Sequence, residues 1–257
     1  MMKLSKRLQR IADCVTTGSR AADIGSDHAM LPVYLLQSGK CPTAIAGELN
    51  RGPYEAAKKQ AADAGLTQRL QVRQGDGLAV LLPGEADTVT IAGMGGSLMS
   101  DILESGLLSG KLDGVKELVL QPNVGEDRVR AWLLKEHWWL QAEYILEEDS
   151  KIYEVLHAVR HPEAAEHNEA LYSQSILPLE LDEESRKQLY LKMGPYLLQQ
   201  PDPVLIRKWA SERSKLERVV RQLGESELEE ARQRAEQFRS ELEQLEEVLQ
   251  CISTDRH

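Results

Sequence analysis

The stretch Ala21-Ala22-Asp23-Ile24-Gly25-Ser26-Asp27-His28-Ala29 decides how the rest of the chain is read. A short apolar run ends in an acidic residue and a glycine turn. A helical segment follows over 31–37, and a second apolar run, 43–47, leads into Glu48-Leu49-Asn50. This order predicts a βαβ nucleotide-binding unit. Gly25 can take the tight turn and let a ligand approach the backbone, and Glu48 falls where a carboxylate accepts hydrogen bonds from the two hydroxyls of an adenosine ribose.

The glycine pattern separates one adenosine ligand from another. A pyrophosphate loop needs several glycines in G-x-G-x-x-G spacing so that backbone N–H groups surround the phosphates. Here Ser26-Asp27-His28 follows Gly25, and a carboxylate at that place repels phosphate. It suits a cation instead. S-adenosylmethionine carries a sulfonium and an α-ammonium group and no phosphate, so Asp23 and Asp27 favour it over a dinucleotide. The alternative for Asp27 is that it only caps the following helix.

Composition sets the limits around this unit. With 257 residues, 42% of them hydrophobic, the chain has room for one α/β domain and a smaller appendage. No apolar run reaches membrane-spanning length, and the basic N-terminus lacks a following apolar stretch, so a cytoplasmic protein is expected. Cys14, Cys41 and Cys251 are odd in number and far apart, which predicts neither a disulfide framework nor a metal site. The net charge of −10 is unevenly spread: residues 1–160 carry 18 basic against 21 acidic side chains, and residues 161–257 carry 13 against 20. Lys3, Lys6, Arg7 and Arg10 make the N-terminus locally basic. Leu4, Leu8, Ile11, Ala12 and Val15 recur there at helical spacing, giving either a phosphate-contacting helix or an ordinary solvated amphipathic one.

Strand and helix patterns alternate through residues 1–160. Strands are expected at 20–24, 43–47, 70–74, 88–92, 117–121, 140–147 and 152–159, and helices at 31–37, 53–64, 98–105 and 127–136. Five strands with helices between them imply a parallel doubly wound sheet; the last two, joined by Glu148-Asp149-Ser150-Lys151, read as an antiparallel hairpin. This seven-stranded order is that of the Rossmann-like class I methyltransferases. Residues 161–168, with Pro162, read as a linker into a second domain over 161–257. There, 204–223 and 226–251 predict an α-helical coiled-coil hairpin with Phe238, Leu242, Leu245, Val248 and Leu249 as its stripe. It could serve packing, dimerisation or substrate recognition.

Two constellations fall after later strands, at the edge where open α/β sheets bind ligands. Gly75-Asp76-Gly77 offers an acceptor for an adenine amine, and Ala92-Gly93-Met94-Gly95-Gly96 predicts a small-residue loop facing the ligand.

On these residues, together with Leu4-Ser5-Lys6-Arg7-Leu8, Ala46-Gly47-Glu48, Leu120-Gln121-Pro122-Asn123 and Tyr153-Glu154-Val155, the chain resembles the bacterial tRNA (adenine-22-N1)-methyltransferase family, TrmK. The resemblance covers about the first 160 residues, and the tail matches that family only in helical character. It implies an S-adenosylmethionine site formed by Asp23, Gly25, Ser26, Asp27, His28, Glu48, Leu49, Asp76, Gly77, Ala92, Gly93, Met94 and Gly95, with tRNA as partner and no metal. The Asp/Asn-Pro-Pro-aromatic motif of many amino-methylating enzymes is missing after the fourth strand. N1 of neutral adenine has an in-plane lone pair and needs no proton removed, so alignment can carry most of the reaction. Positive charge arising on the base would be offset by the backbone of Ala92, Gly93 and Met94, by Gln121 and Asn123 on the loop after the fifth strand, or by Asp27. Gln121-Pro122-Asn123 could equally be a strand-ending turn. His28 is either a base or a cofactor-orienting group, and Tyr153 and Glu154 serve either the site or the fold alone.

Overall fold

A computed structural model describes residues 2–225 and 229–254. Seven strands form one sheet: β1 Ala21–Ile24, β2 Ala44–Glu48, β3 Leu70–Gln74, β4 Thr88–Gly95, β5 Glu117–Val124, β6 Trp139–Glu148 and β7 Lys151–Val159. Their order is β3-β2-β1-β4-β5-β7-β6. Strands β1 to β5 are parallel, and β7 runs antiparallel to both β5 and β6. β1 and β2 are buried along their whole length, as the continuous apolar runs of a sheet covered on both faces require. Helices α1 Lys6–Cys14, α2 Met30–Gln37, α3 Arg51–Asp63, α4 Gly96–Leu108 and α5 Glu126–Lys135 accompany this sheet. The strand order reverses between β1 and β4, so their C-terminal ends leave a crevice there.

Buried ion pairs fix the edges of the sheet. Arg130 of α5, fully buried, donates from Nε to Glu143 of β6 at 2.5 Å and from Nη2 to Glu154 of β7. Glu154 is thus a fold residue. At the start of β5, Glu117 accepts from the Thr16 N–H, the Thr16 and Thr88 hydroxyls and shares a 2.9 Å bond with His157. Burial opposes its ionisation, but these donors together hold its carboxyl below the ordinary value.

Helix α1 is tied to the β6–β7 hairpin. Ser5 caps it through Leu8 N–H, and the Glu148 carboxylate accepts from the backbone N–H groups of Lys6, at 2.6 Å, and Arg7. A carboxylate at this end also meets the positive pole of the helix.

The structure departs from the sequence expectations in two places. The segment 92–95 is not a loop: β4 continues through Gly95, with register irregularities between Ala92 and Met94 and between Met94 and Gly95. Its partner is Gln121-Pro122-Asn123-Val124, which therefore extends β5 and is no strand-ending turn. The second concerns the linker expected at 161–168, since α6, Ala164–Ser173, begins inside it. Asn168 is buried; its side chain accepts from Leu140 N–H and donates to the Trp138 carbonyl, which binds α6 to β6. The chain accordingly divides into units Met1–Leu171 and Tyr172–His257.

The second unit contains α7 Glu183–Met193, α8 Pro195–Gln199, α9 Pro203–Gly224 and α10 Glu229–Thr254. Asp182 and Asp202 cap α7 and α9 through side-chain bonds to Ser185 and Val204 N–H. Helices α9 and α10 pack on each other, with Leu205 and Trp209 buried on the first and Leu245, Val248, Leu249 and Ile252 on the second. The start expected at Ser226 lies outside the described residues.

Candidate active site

The β1 and β2 ends are joined directly. Gly25 N–H and Ser26 N–H both donate to the Gly47 carbonyl, at 2.9 and 3.3 Å, which sets the β1 turn beside Glu48. Gly25 has φ 71°, so the turn needs glycine for its conformation; an added Cβ would also lie 2.2 Å from the terminal methyl of the flexible Met94 side chain, which would have to shift. Asp27, His28 and Ala29 follow at φ 37°, 62° and 54°, three consecutive non-glycine residues in the left-handed region. Such residues cost of order 1–3 kcal/mol each and gather at functional sites.

This turn corrects the helix-capping alternative for Asp27. The residue before α2 is Ala29, and no side chain caps the helix. The Asp27 carboxylate is instead 82% exposed, 3.5 Å from His28 Nε2. Asp23 has a different position. It is buried, with one oxygen accepting from Ser26 Oγ and the other from Thr90 Oγ1, both at 2.6 Å. Burial pushes its carboxyl above the ordinary value despite these two donors. Asp23 and Ser26 therefore brace the turn through each other. Thr90 had no signal of its own in the sequence, but the β1–β4 register sets it directly beside Asp23.

Glu48 closes β2 and is buried, yet its Oε1 has no hydrogen-bond partner. Burial is the main cause that raises its carboxyl above the ordinary value; the Asp27 N–H opposes this and the nearby Asp23 adds to it. A buried acceptor without a donor is costly unless a ligand supplies one. Leu49, the next residue, is 57% exposed. Across the β2–β3 pairing Gly75 N–H donates to the Glu48 carbonyl, bringing exposed Asp76 and half-buried Gly77 to the same strand edge.

The β4 and β5 ends form the other wall. Gly93 has φ 77°, and its carbonyl accepts from Asn123 Nδ2 at 2.8 Å. Asn123 Oδ1 accepts from Gln121 Nε2 at 3.2 Å, and Gln121 Oε1 accepts from Arg7 Nη1 at 2.7 Å. Gly96 serves packing rather than a ligand, because an added Cβ would lie 1.9 Å from the Gly125 carbonyl oxygen.

The basic residues of the N-terminus divide into two pairs. Lys3, Lys6 and Arg10 are exposed and Arg7 is half-buried, but only the two arginines lie over aromatic rings. Arg7 reaches the strand ends, over the Tyr153 ring at 5.4 Å, and Arg10 lies over Tyr144 at 4.6 Å. Helical periodicity could not tell these pairs apart, because the aromatic partners come from a hairpin more than 130 residues away.

Metal-ligand spacing was not visible in the sequence, but the fold brings ligand atoms of His161, Glu163 and His167 within 4.8 Å of one another. Both imidazoles contact Trp139, at 5.4 and 4.4 Å. Trp139 pairs with Val159, which pairs with Glu117 at the start of β5, so this group belongs to the opposite edge of the sheet.

The 3-2-1-4-5-7-6 sheet, with a ribose-type carboxylate ending β2 and a glycine turn ending β1, defines a Rossmann-like methyltransferase. The family model for tRNA (adenine(22)-N(1))-methyltransferase matches residues 21–247. The chain belongs to that family. The Bacillus subtilis strain 168 tRNA (adenine(22)-N(1))-methyltransferase is 40% identical over 249 residues, 96% of this chain and 98% of the relative. The crystal structure of the B. subtilis M1A22 tRNA methyltransferase TrmK aligns over 97% of this chain and 100% of its own, with TM-score 0.85 and 40% identity. A Streptococcus pneumoniae protein described as a candidate tRNA (m1A22) methyltransferase, in complex with S-adenosyl-L-methionine, aligns over 96% and 100% with TM-score 0.77 and 35% identity.

Proposed function

We propose that this protein transfers a methyl group from S-adenosylmethionine to N1 of adenine 22 in tRNA. The observation that carries the reading is Glu48, a buried carboxylate with an unpartnered oxygen at the sheet's switch point. Two ribose hydroxyls would supply the missing donors. Asp76 would accept from the cofactor's adenine amine, the exposed Leu49 would cover the base, and the exposed Asp27 would face the ammonium group. When bound, the cofactor supplies a methyl group made electrophilic by its sulfonium. Asp23, Ser26 and Thr90 hold the turn at which its methionine portion would end.

The residues around the acceptor need no strong base, because adenine N1 attacks through its own lone pair. Their work is alignment and stabilisation of the positive charge that the product acquires. The carbonyls at the β4 end and the exposed amide of Asn123 are suited to it, with the buried Gln121 holding Asn123 in place. S-adenosylmethionine binding and tRNA methylation together make the cytoplasm the expected location. Among the described residues no helix is long and apolar enough to cross a membrane.

Nucleoside mass analysis after incubation with labelled cofactor and unmodified tRNA tests the chemistry. We expect 1-methyladenosine; 6-methyladenosine alone, or no label in RNA, would contradict it. RNA would approach over the exposed Lys3 and Lys6, with the second unit, residues 172–257, supplying orientation. Replacing both lysines with Ala should lower the salt slope of tRNA binding by roughly 1 to 2 and leave cofactor affinity unchanged. An unaltered slope in a binding titration over several salt concentrations would remove them from the interface.

A further inference from the structure

The hydrogen bonds at the β4 and β5 ends run in one direction, set at one end by Arg7, which can only donate, and along it by the Pro122 and Gly93 carbonyls, which can only accept. A guanidinium can only donate, so Gln121, fully buried, must turn its oxygen to Arg7. Its amide nitrogen then donates to the Pro122 carbonyl and to Asn123 Oδ1, at 2.8 and 3.2 Å, and both of its protons are used. Asn123 must in turn face Gln121 with its oxygen and Gly93 with its nitrogen. Unlike Gln121, Asn123 is exposed. A primary amide has two lone pairs on oxygen and two N–H groups. One of each is engaged in this chain of bonds, which leaves one of each available on this exposed side chain.

That remaining pair, an acceptor beside a donor, matches the N6 amine and N7 of adenine. We propose that Asn123 reads the N6/N7 edge of the target adenine and that Arg7 is a positioning residue that fixes the orientation of the Asn123 amide through Gln121. This inference rests on the proposed function. Gripping the base by N6 and N7 leaves N1 free to receive the methyl group. Guanine offers two acceptors on the same edge, O6 and N7, and one of them would oppose Asn123 Oδ1, so the arrangement selects adenine. It also gives Arg7 a place in the site that phosphate contact would not explain.

The test uses full-length protein and two tRNAs, one with adenine and one with 7-deazaadenine at position 22. The second keeps N1 and the exocyclic amine but lacks N7, and its N1 is no less nucleophilic. Single-turnover methyl transfer by the unaltered protein should fall roughly tenfold or more on the deaza tRNA. Asn123→Ala should lose a similar factor on ordinary tRNA and show no further loss on the deaza tRNA. Arg7→Ala should lower kcat while leaving KM for tRNA within about twofold, and should lose most of the discrimination between the two tRNAs; Arg7→Lys, which keeps a donor-only cation, should recover part of both. Cofactor titration shows whether each variant retains a folded site. Equal rates on the two tRNAs with the unaltered protein would overturn the proposal while leaving the proposed function intact. Absence of methyl transfer to the ordinary tRNA would instead contradict the function itself. If Arg7→Ala raises KM alone and keeps full discrimination, Arg7 contacts phosphate and does not position Asn123.

Discussion

Glu48→Ala is expected to weaken S-adenosylmethionine binding by about 2–3 kcal/mol, roughly 30- to 150-fold, without unfolding the protein. The carboxylate is buried and its Oε1 lacks a donor, so in the absence of ligand it burdens the folded state. Binding would remove that burden by bringing two hydroxyl donors. The same geometry fixes a pH dependence. Burial, the largest influence, raises the Glu48 carboxyl above its unfolded value. Below the unfolded value the carboxyl is protonated in both states and contributes nothing; as pH rises through the folded value the cost of the buried charge appears in full. Glu48→Gln should therefore be more thermally stable than the unaltered protein at neutral pH, with the gain vanishing in acid, and should still bind cofactor poorly. Calorimetric titration and thermal melts read both effects. Unchanged affinity in a folded Glu48→Ala protein would remove Glu48 from the site.

Arg130→Ala should produce the largest loss of stability, about 3–5 kcal/mol. Arg130 is 0% exposed and holds Glu143 and Glu154, both also buried, across α5, β6 and β7. Removing the cation leaves two carboxylates close together in the interior without it. Replacing all three by Arg130→Met, Glu143→Gln and Glu154→Gln should recover much of the loss, because the buried charges are then removed together. For a unit of this size the single variant should melt about 10 °C lower. A drop of only a degree or two would mean that the remaining polar contacts of this cluster, and not Arg130, hold the hairpin against α5.

These two residues also mark what the sequence could and could not disclose. Glu48 was legible because strand, turn and carboxylate follow each other locally, and the parallel register then carries it to the β1 turn. The strand positions were legible for the same reason: continuous apolar runs, each ended by turn residues, have a period that needs no tertiary knowledge. Arg130 reads as one more charge on an amphipathic helix, since its partners stand on a hairpin that only the fold brings beneath it. Arg7 reads as a surface cation for the same reason, since its partner Gln121 is 114 residues distant.

The small-residue segment failed differently. Glycines at 93, 95 and 96 suggested a loop, but Gly93 and Gly95 lie in an irregular strand and Gly96 makes room for the β5–α5 turn. Composition reported close approach correctly and could not say whether a ligand or another backbone was approaching. The break placed at residue 160 shows a similar limit. Pro162 and the polar stretch after it look like a linker, whereas Asn168 uses its polarity to satisfy the Leu140 N–H and the Trp138 carbonyl inside the first unit. A buried polar side chain with two backbone partners cannot be told from a solvated one by sequence alone.

Methylation at one position is expected, and fragment mapping of the tRNA reads that position. Unmodified tRNA with adenine at position 22, and the same tRNA with guanine there, are incubated with the protein and S-adenosylmethionine, digested with a base-specific ribonuclease and weighed fragment by fragment. One added methyl group should appear, confined to the fragment containing adenine 22 and absent from the guanine-22 tRNA. Methylation of another fragment, or equal methylation of both tRNAs, would contradict it.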